Sequence, residues 1–264
     1  MLEKRLTIMY NVNEKKKALV LQRKKQSIIK QFQNITNKIL QKGMKMISFE
    51  KIKDNEEIIT YIRSADNSLA ALGYTEHSFA HVGRVSSVAA DIINKLGFDS
   101  HTVELAKIAG YLHDIGNLVN RVDHSQSGAI MAFRILDRMG MPAEDIATIV
   151  TAIGNHDEGS GIPVSPVAAA LILADKSDVR RSRVRNTDIS GFDIHDRVNY
   201  SVEKSNLDIS TENKEITLYI TIDTTISSIM DYFEIFLGRM ILCRKAADKL
   251  GLIFKLVINE QHII

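Results

Sequence analysis

Ile108-Ala-Gly-Tyr-Leu-His-Asp-Ile-Gly116 is the stretch on which the reading of this chain turns. It is apolar over its first turn and a half. It then sets a histidine and an aspartate side by side at 113 and 114. A carboxylate in such a run is expensive to bury unless it is paired or bound to a cation. Ile108, Leu112 and Ile115 recur at helical spacing, and Ser100 is read as the N-cap of that helix.

Reading outward, both flanks are helical. Toward the N-terminus, Phe79, Val82, Val85, Ala89, Ile92 and Leu96 share one face of a helix expected over 76–96. His77 and His81, four apart, project from one side of it. Toward the C-terminus, Asp123 is the expected cap of a helix running to about Met139, with His124 at its start. Gly140 ends that helix, and Pro142 suits the first turn of the next. His156 precedes the loop Glu158-Gly-Ser-Gly-Ile-Pro163. Ser165-Pro166 opens a helix whose run Ala168-Ala-Ala-Leu-Ile-Leu-Ala174 ends on a second acid, Asp175.

After about residue 190 the period changes from helical to twofold. Val198, Tyr200 and Val202 alternate with polar residues, as do Ile216–Ile222 and Leu252–Ile258, with an amphipathic helix expected over 226–250. The expected fold is mainly α: a basic amphipathic helix over 1–48, a helical metal-binding domain over 49–188, and a small ββαβ module over 189–264.

Composition agrees with a globular protein, 45% hydrophobic and 25% charged over 264 residues. The single cysteine, Cys243, excludes an internal disulfide and cysteine-rich zinc modules. No apolar run is long enough to span a membrane, and a cytoplasmic protein is the expectation. The net charge of +2 hides an asymmetry. Residues 1–48 carry +10 and the remainder −8. The basic segment reads either as a solvated helix face or as a nucleic-acid or membrane-surface contact. Ile28, Phe32, Ile35 and Ile39 give it an apolar seam for packing on the body or a partner, and homo-oligomerisation stays open.

The clustered histidines and acids suit a divalent transition metal, Fe, Mn, Zn, Ni or Co, better than magnesium. Six or seven candidate ligands exceed one tetrahedral site. A carboxylate can bridge two cations, so a binuclear centre follows naturally.

Three segments, His81-Val-Gly-Arg-Val85, Tyr111-Leu-His-Asp-Ile-Gly116 and Leu173-Ala-Asp-Lys176, resemble the HD superfamily of metal-dependent phosphohydrolases, in that family's order. The resemblance covers roughly residues 70–185 and implies the family's helical bundle. It implies a first metal at His81, His113, Asp114 and Asp175. His124-Ser-Gln-Ser-Gly-Ala129 and Ala152-Ile-Gly-Asn-His156 are similar to segments of the members with two metals. His124 and His156 would then hold a second ion, bridged by Asp114. Two branches are similar: the symmetrical dinucleoside-tetraphosphate hydrolases, and the HD-GYP cyclic-di-GMP phosphodiesterases through Gly159-Ser-Gly-Ile-Pro163. Ile162, Asn155 and Asn117 depart from the second pattern.

The implied activity is hydrolysis of a phosphate ester or anhydride of a nucleotide-type substrate by metal-activated water. Asp114, His77 and Lys176 form the expected catalytic set. Lys176, Arg180 and Arg181 are expected to bind phosphoryl oxygens. His77 reads as an outer ligand, a proton donor to the leaving group, or packing. The alternative is a catalytically weak or inactive HD-domain signalling or scaffold protein that binds a nucleotide or a protein partner.

Overall fold

The computed structural model describes residues 47–264. The expected N-terminal helix and its seam at Ile28, Phe32, Ile35 and Ile39 lie outside the described residues. The described chain starts with seven helices: α1 Phe49–Lys53, α2 Glu56–Ala71, α3 Phe79–Lys95, α4 Ser100–Leu112, α5 His124–Arg138, α6 Ala143–Gly154 and α7 Pro166–Lys176. A short helix, α8 Ile194–Ser201, leads into β1 Val202–Ser210 and β2 Glu215–Ile222. The long α9, Ile229–Lys249, follows, then β3 Ile253–Ile258 and β4 Gln261–His262.

α7 is the centre of the bundle. Every residue from Val167 to Lys176 is buried, the pattern of a helix enclosed all round. It packs against α3, α4, α6 and α9. Ser165 caps it by accepting from the Ala168 amide at 3.1 Å, and Pro166 occupies its first position. The helix therefore delivers Asp175 and Lys176, at its C-terminal end, into the interior. α3 and α4 cross closely at Gly110. A Cβ there would lie 2.7 Å from the Ser86 Cα, so only glycine admits this approach.

The C-terminal strands form one sheet in the order β1-β2-β3-β4. β1 and β2 make an antiparallel hairpin with Leu207 opposite Leu218. β2 and β3 run parallel, Leu218 opposite Leu256, so the connection must cross over the sheet, and α9 is that crossover. Ile216, Leu218, Ile220, Phe254, Leu256 and Ile258 are buried at alternate positions. α9 contributes Tyr232, Phe236, Met240, Cys243, Ala246 and Ala247 to the same core. Each such large apolar side chain contributes roughly 1.5–3 kcal/mol of burial.

Four local expectations change. Val198 and Tyr200 belong to α8, not to a strand. Asp193 caps that helix by accepting from the Asp196 amide at 2.8 Å, and Ile194 and Val198 are one turn apart, so the helical period wins over the alternation. Asp99, not Ser100, caps α4, through the Thr102 amide. Asp123 precedes α5 in the left-handed region, φ 57°, and makes no side-chain cap. Pro142 is itself the N-cap of α6.

Candidate metal centre

Three imidazoles are held by the same local device. His113, His124 and His156 each turn Nδ1 back onto the carbonyl three residues earlier: Gly110 at 2.8 Å, Arg121 at 3.0 Å and Ile153 at 2.6 Å. A carbonyl only accepts, so each Nδ1 carries the proton and each Nε2 faces inward. His81, fully buried on α3, is fixed differently. Its Nδ1 is 2.8 Å from Asp178 Oδ2, a carboxylate at zero exposure.

The inward atoms converge in two overlapping groups. His81 Nε2 lies 3.3 Å from His113 Nε2, 3.3 Å from Asp114 Oδ2 and 3.4 Å from Asp175 Oδ1. His113 Nε2 is 3.2 Å from Asp114 Oδ2 and 3.6 Å from Asp175 Oδ1. Donors about 2.1 Å from one ion at tetrahedral angles are separated by about 3.4 Å, so this set has the size of a metal shell. The second group uses the other oxygen of Asp114. His124 Nε2 is 3.2 Å from His156 Nε2 and 3.5 Å from Asp114 Oδ1; His156 Nε2 is 4.0 Å from that oxygen. Asp114 thus offers one oxygen to each group, the arrangement of a bridging ligand.

Electrostatics favour a cation here. Burial holds His156 well below the ordinary imidazole range, with the charges of His113 and Lys176 adding to it. Burial also lowers His124. Both rings are then neutral, with protons on Nδ1, so two Nε2 lone pairs oppose each other at 3.2 Å beside a carboxylate oxygen. A buried acceptor cluster of this kind is costly unless a cation occupies it. His113 behaves differently: burial would lower it, but Asp114 and Asp175 outweigh burial and push it up to about 10. Three helix C-termini also meet here, since α4 ends at Leu112 with His113 as its C-cap, α6 ends at Gly154, two residues before His156, and α7 ends at Lys176. Their exposed carbonyl ends favour positive charge. The donor set and its spacing fit divalent transition metals.

All six expected metal ligands are therefore brought together. His77 lies in the segment before α3, not on its face as the spacing implied, because the helix starts only after the Ser78 cap. Its Nδ1 is 2.7 Å from the Thr75 carbonyl and its ring packs edge-on against His81. Lys176 is buried, with Nζ 2.7 Å from Asp175 and 3.1 Å from Glu158. Arg180 and Arg181 are turned elsewhere. Arg180 pairs with Asp178 at 2.7 Å and with Glu76. Arg181 bonds the Tyr200 carbonyl at 2.6 Å and lies over that ring. The cations beside the cluster are instead Arg121, Arg183 and Arg239, which with His77 and Lys176 line a narrow recess over Asp114, His124 and Asp175.

Sequence reading also missed the supports of the cluster. Asp178 lies two residues past the end of α7 and three past Asp175, a closeness to the Ala-Asp-Lys segment that could have drawn attention to it. Asn117 donates to Asp114 Oδ1 at 2.9 Å. Arg121 reaches Asn117 and, at 3.4 Å, His124 Nε2. Arg239 arrives from α9, far along the chain, and pairs with Glu158 at 2.6 Å; no local pattern announces it.

Against this geometry stand the comparisons with known proteins. The family model for the HD domain matches residues 78–185. This is an HD-domain protein. HD domains bind divalent metals, and the resemblance places the chain with metal-dependent phosphohydrolases. An uncharacterized protein of Methanocaldococcus jannaschii is 28% identical over 184 residues, covering 61% of this chain and 70% of that one. Ribonuclease Y of Opitutus terrae is 29% identical over 119 residues, 45% of this chain but only 21% of the enzyme's length. A crystal structure of a predicted HD superfamily hydrolase from an uncultured Thermotogales bacterium is 28% identical, with TM-score 0.38, over 47% of this chain and 67% of that one. The HD domain spans α3 to just past α7, and the C-terminal sheet lies beyond it. Among the described residues no helix is long and apolar enough to cross a membrane.

Proposed function

We propose that this HD-domain protein hydrolyses a phosphate ester or anhydride of a nucleotide-type substrate at a centre of two divalent transition-metal ions. The observation that carries the reading is the shared Asp114 carboxylate, one oxygen toward His81, His113 and Asp175 and the other toward His124 and His156. His81, His113, Asp114 and Asp175 would hold the first ion, and Asp114, His124 and His156 the second. When bound there, such ions supply an acidified water and neutralise phosphoryl oxygens.

The chain's own residues divide the remaining work. Arg121, Arg183 and Arg239 replace Arg180 and Arg181 as the groups that hold phosphoryl oxygens, with planar forks suited to them. Lys176, shared between Asp175 and Glu158, fixes both carboxylates and balances their charge. His77 presents Nε2 to the recess. Burial and the Arg183 charge hold its pKa well below the usual range, so at neutral pH it accepts a proton there instead of donating one. The likeness to ribonuclease Y makes an RNA phosphodiester one of the substrates to assay.

The test is metal analysis of the purified protein followed by hydrolysis assays on phosphomonoesters, phosphodiesters and dinucleoside polyphosphates, with manganese or iron restored after chelation. Hydrolysis in oxygen-18 water is expected to put the label on phosphate. Asp114→Ala is expected to lose metal and at least about a thousandfold in rate while remaining folded. A metal-loaded protein that cleaves none of these esters overturns the reading.

A further inference from the structure

The recess over the metal cluster opens outward into a cavity of about 430 Å³. The two share His77, Arg121, Arg183 and Arg239. This common rim is cationic. Arg183 is the most constrained part of it. It is 4% exposed, its Nε donates to the Glu76 carbonyl at 2.9 Å and its Nη1 to the Asp178 carbonyl at 2.7 Å. Among the described residues its Nη2 has no hydrogen-bond partner, and the residue lines both spaces. A buried guanidinium with one free nitrogen on a cavity is a prepared anion contact.

The side of the cavity formed by α8 has the opposite character. α8 and its cap bring Asp193, Asp196 and Asn199 to the cavity wall. Asp193 is committed through one oxygen to the Asp196 amide. Asn199 is buried and gives one of its two side-chain N–H donors to the His195 carbonyl at 2.8 Å, and its carbonyl oxygen is left to accept. This side therefore holds two carboxylates and an amide oxygen, with Asp196 also bonded by the Asn186 side chain and the His195 imidazole beside them. The lining also carries two cation–aromatic pairs, Arg121 over Tyr74 at 5.9 Å and Arg239 over Phe236 at 4.2 Å. Such walls suit a flat ring.

We propose that this cavity is the leaving-group subsite and that Asp196 is its specificity-determining residue, selecting a small phosphomonoester whose far end presents paired hydrogen-bond donors. The inference rests on the phosphohydrolase reading above and adds the substrate class to it. A guanine edge offers an N–H and an amino group side by side to one carboxylate. An adenine edge pairs a donor with an acceptor and would set a ring nitrogen against the carboxylate. The volume lies in the lower part of the range for single small ligands. The acceptor-lined end repels the next phosphate of a polymer, so a nucleic-acid chain is the wrong shape and charge for it.

Calorimetric titration of the full chain with GMP, IMP, AMP, ribose 5-phosphate and a short single-stranded RNA tests this without any need for turnover. GMP is expected to bind at least tenfold more tightly than AMP or ribose 5-phosphate. Asp196→Asn, of equal size, is expected to shrink the GMP-to-AMP ratio by about tenfold. Equal binding of all the monophosphates by the unaltered protein, or an unchanged ratio in the variant, overturns the proposal. Tighter binding of RNA than of any monophosphate overturns it as well, in favour of a polymer substrate. Selective binding with no hydrolysis of any ester leaves the subsite standing and removes the phosphohydrolase reading instead.

Discussion

At Asp178 a single fully buried carboxylate governs the imidazole of His81, a proposed metal ligand. It accepts from His81 Nδ1 and is itself clasped by Arg84, Arg180 and Arg183; burial would raise its pKa, but the His81 hydrogen bond, then the Arg183 charge and the Arg180 hydrogen bond, hold it below the usual carboxylate range. An outer partner of this kind fixes which imidazole nitrogen faces the metal. Asp178→Asn should keep the volume but weaken the first metal site about 10- to 100-fold, read by competition with a chromophoric chelator; unaltered affinity would show that Asp178 only fills space. His113 gives a pH prediction. Its pKa near 10 in the metal-free protein lies above the value of about 6.5 for an unfolded histidine. The pairing with Asp114 and Asp175 thus adds stability below about pH 6.5, and that contribution fades as pH rises toward 10. At neutral pH the ring is protonated, so metal must displace a proton to bind. Calorimetry in buffers of different ionisation enthalpy should show release of about one proton per first ion, and affinity rising with pH. A heat independent of buffer would contradict this. The six converging residues were legible because histidine and aspartate stand out in apolar runs. Asp178, Arg183 and Arg239 were not, because a charged residue looks the same in sequence whether it faces solvent or a cavity.

Among the elements, the turn from Asp114 to α5 sets the separation of the two ligand groups. The 3₁₀ turn Ile115–Leu118 lies against the start of α5 so tightly that a Cβ on Gly116 would be 2.0 Å from the His124 carbonyl oxygen and 2.4 Å from the Gly128 nitrogen. Both obstacles are backbone, so relief requires moving α5 and His124 with it. Gly116→Ala should cost about 3 kcal/mol or more and lower the metal content from two ions toward one, measured by urea unfolding and elemental analysis. Native stability with full metal would refute the close-packing argument. The helices of this region follow from their periodicity, and α7 follows from its Ser-Pro opening and unbroken apolar run. The strand expected at Val198–Val202 failed because Val-Asn-Tyr-Ser-Val satisfies both periods, and the Asp193 cap one turn upstream decides for the helix. The repeated fold of an imidazole onto the carbonyl three residues back is a backbone event at the site and leaves no signature in residue type.

For the molecule as a whole, the C-terminal sheet and the HD domain share one core and one site. α9 packs along α7 and contributes Arg239 and Phe236 to the cavity. Arg84 on α3 ties the Ser205 carbonyl of β1 to Asp178, at 3.0 and 3.1 Å. Ser205 Oγ in turn bonds the Ser177 carbonyl at 2.6 Å, just past α7. Residues 47–264 close their own core, so a chain starting at Met46 should melt in one cooperative transition and retain its metal; an unfolded product would show that the preceding residues complete the core. The measurement that bears most directly on the central claim is anomalous diffraction from crystals of the full chain grown with manganese. Two peaks are expected on either side of the Asp114 carboxylate, one enclosed by His81, His113 and Asp175 and the other by His124 and His156. A protein that diffracts well but shows no peak at either position, with the imidazole Nε2 atoms still facing one another, would contradict it.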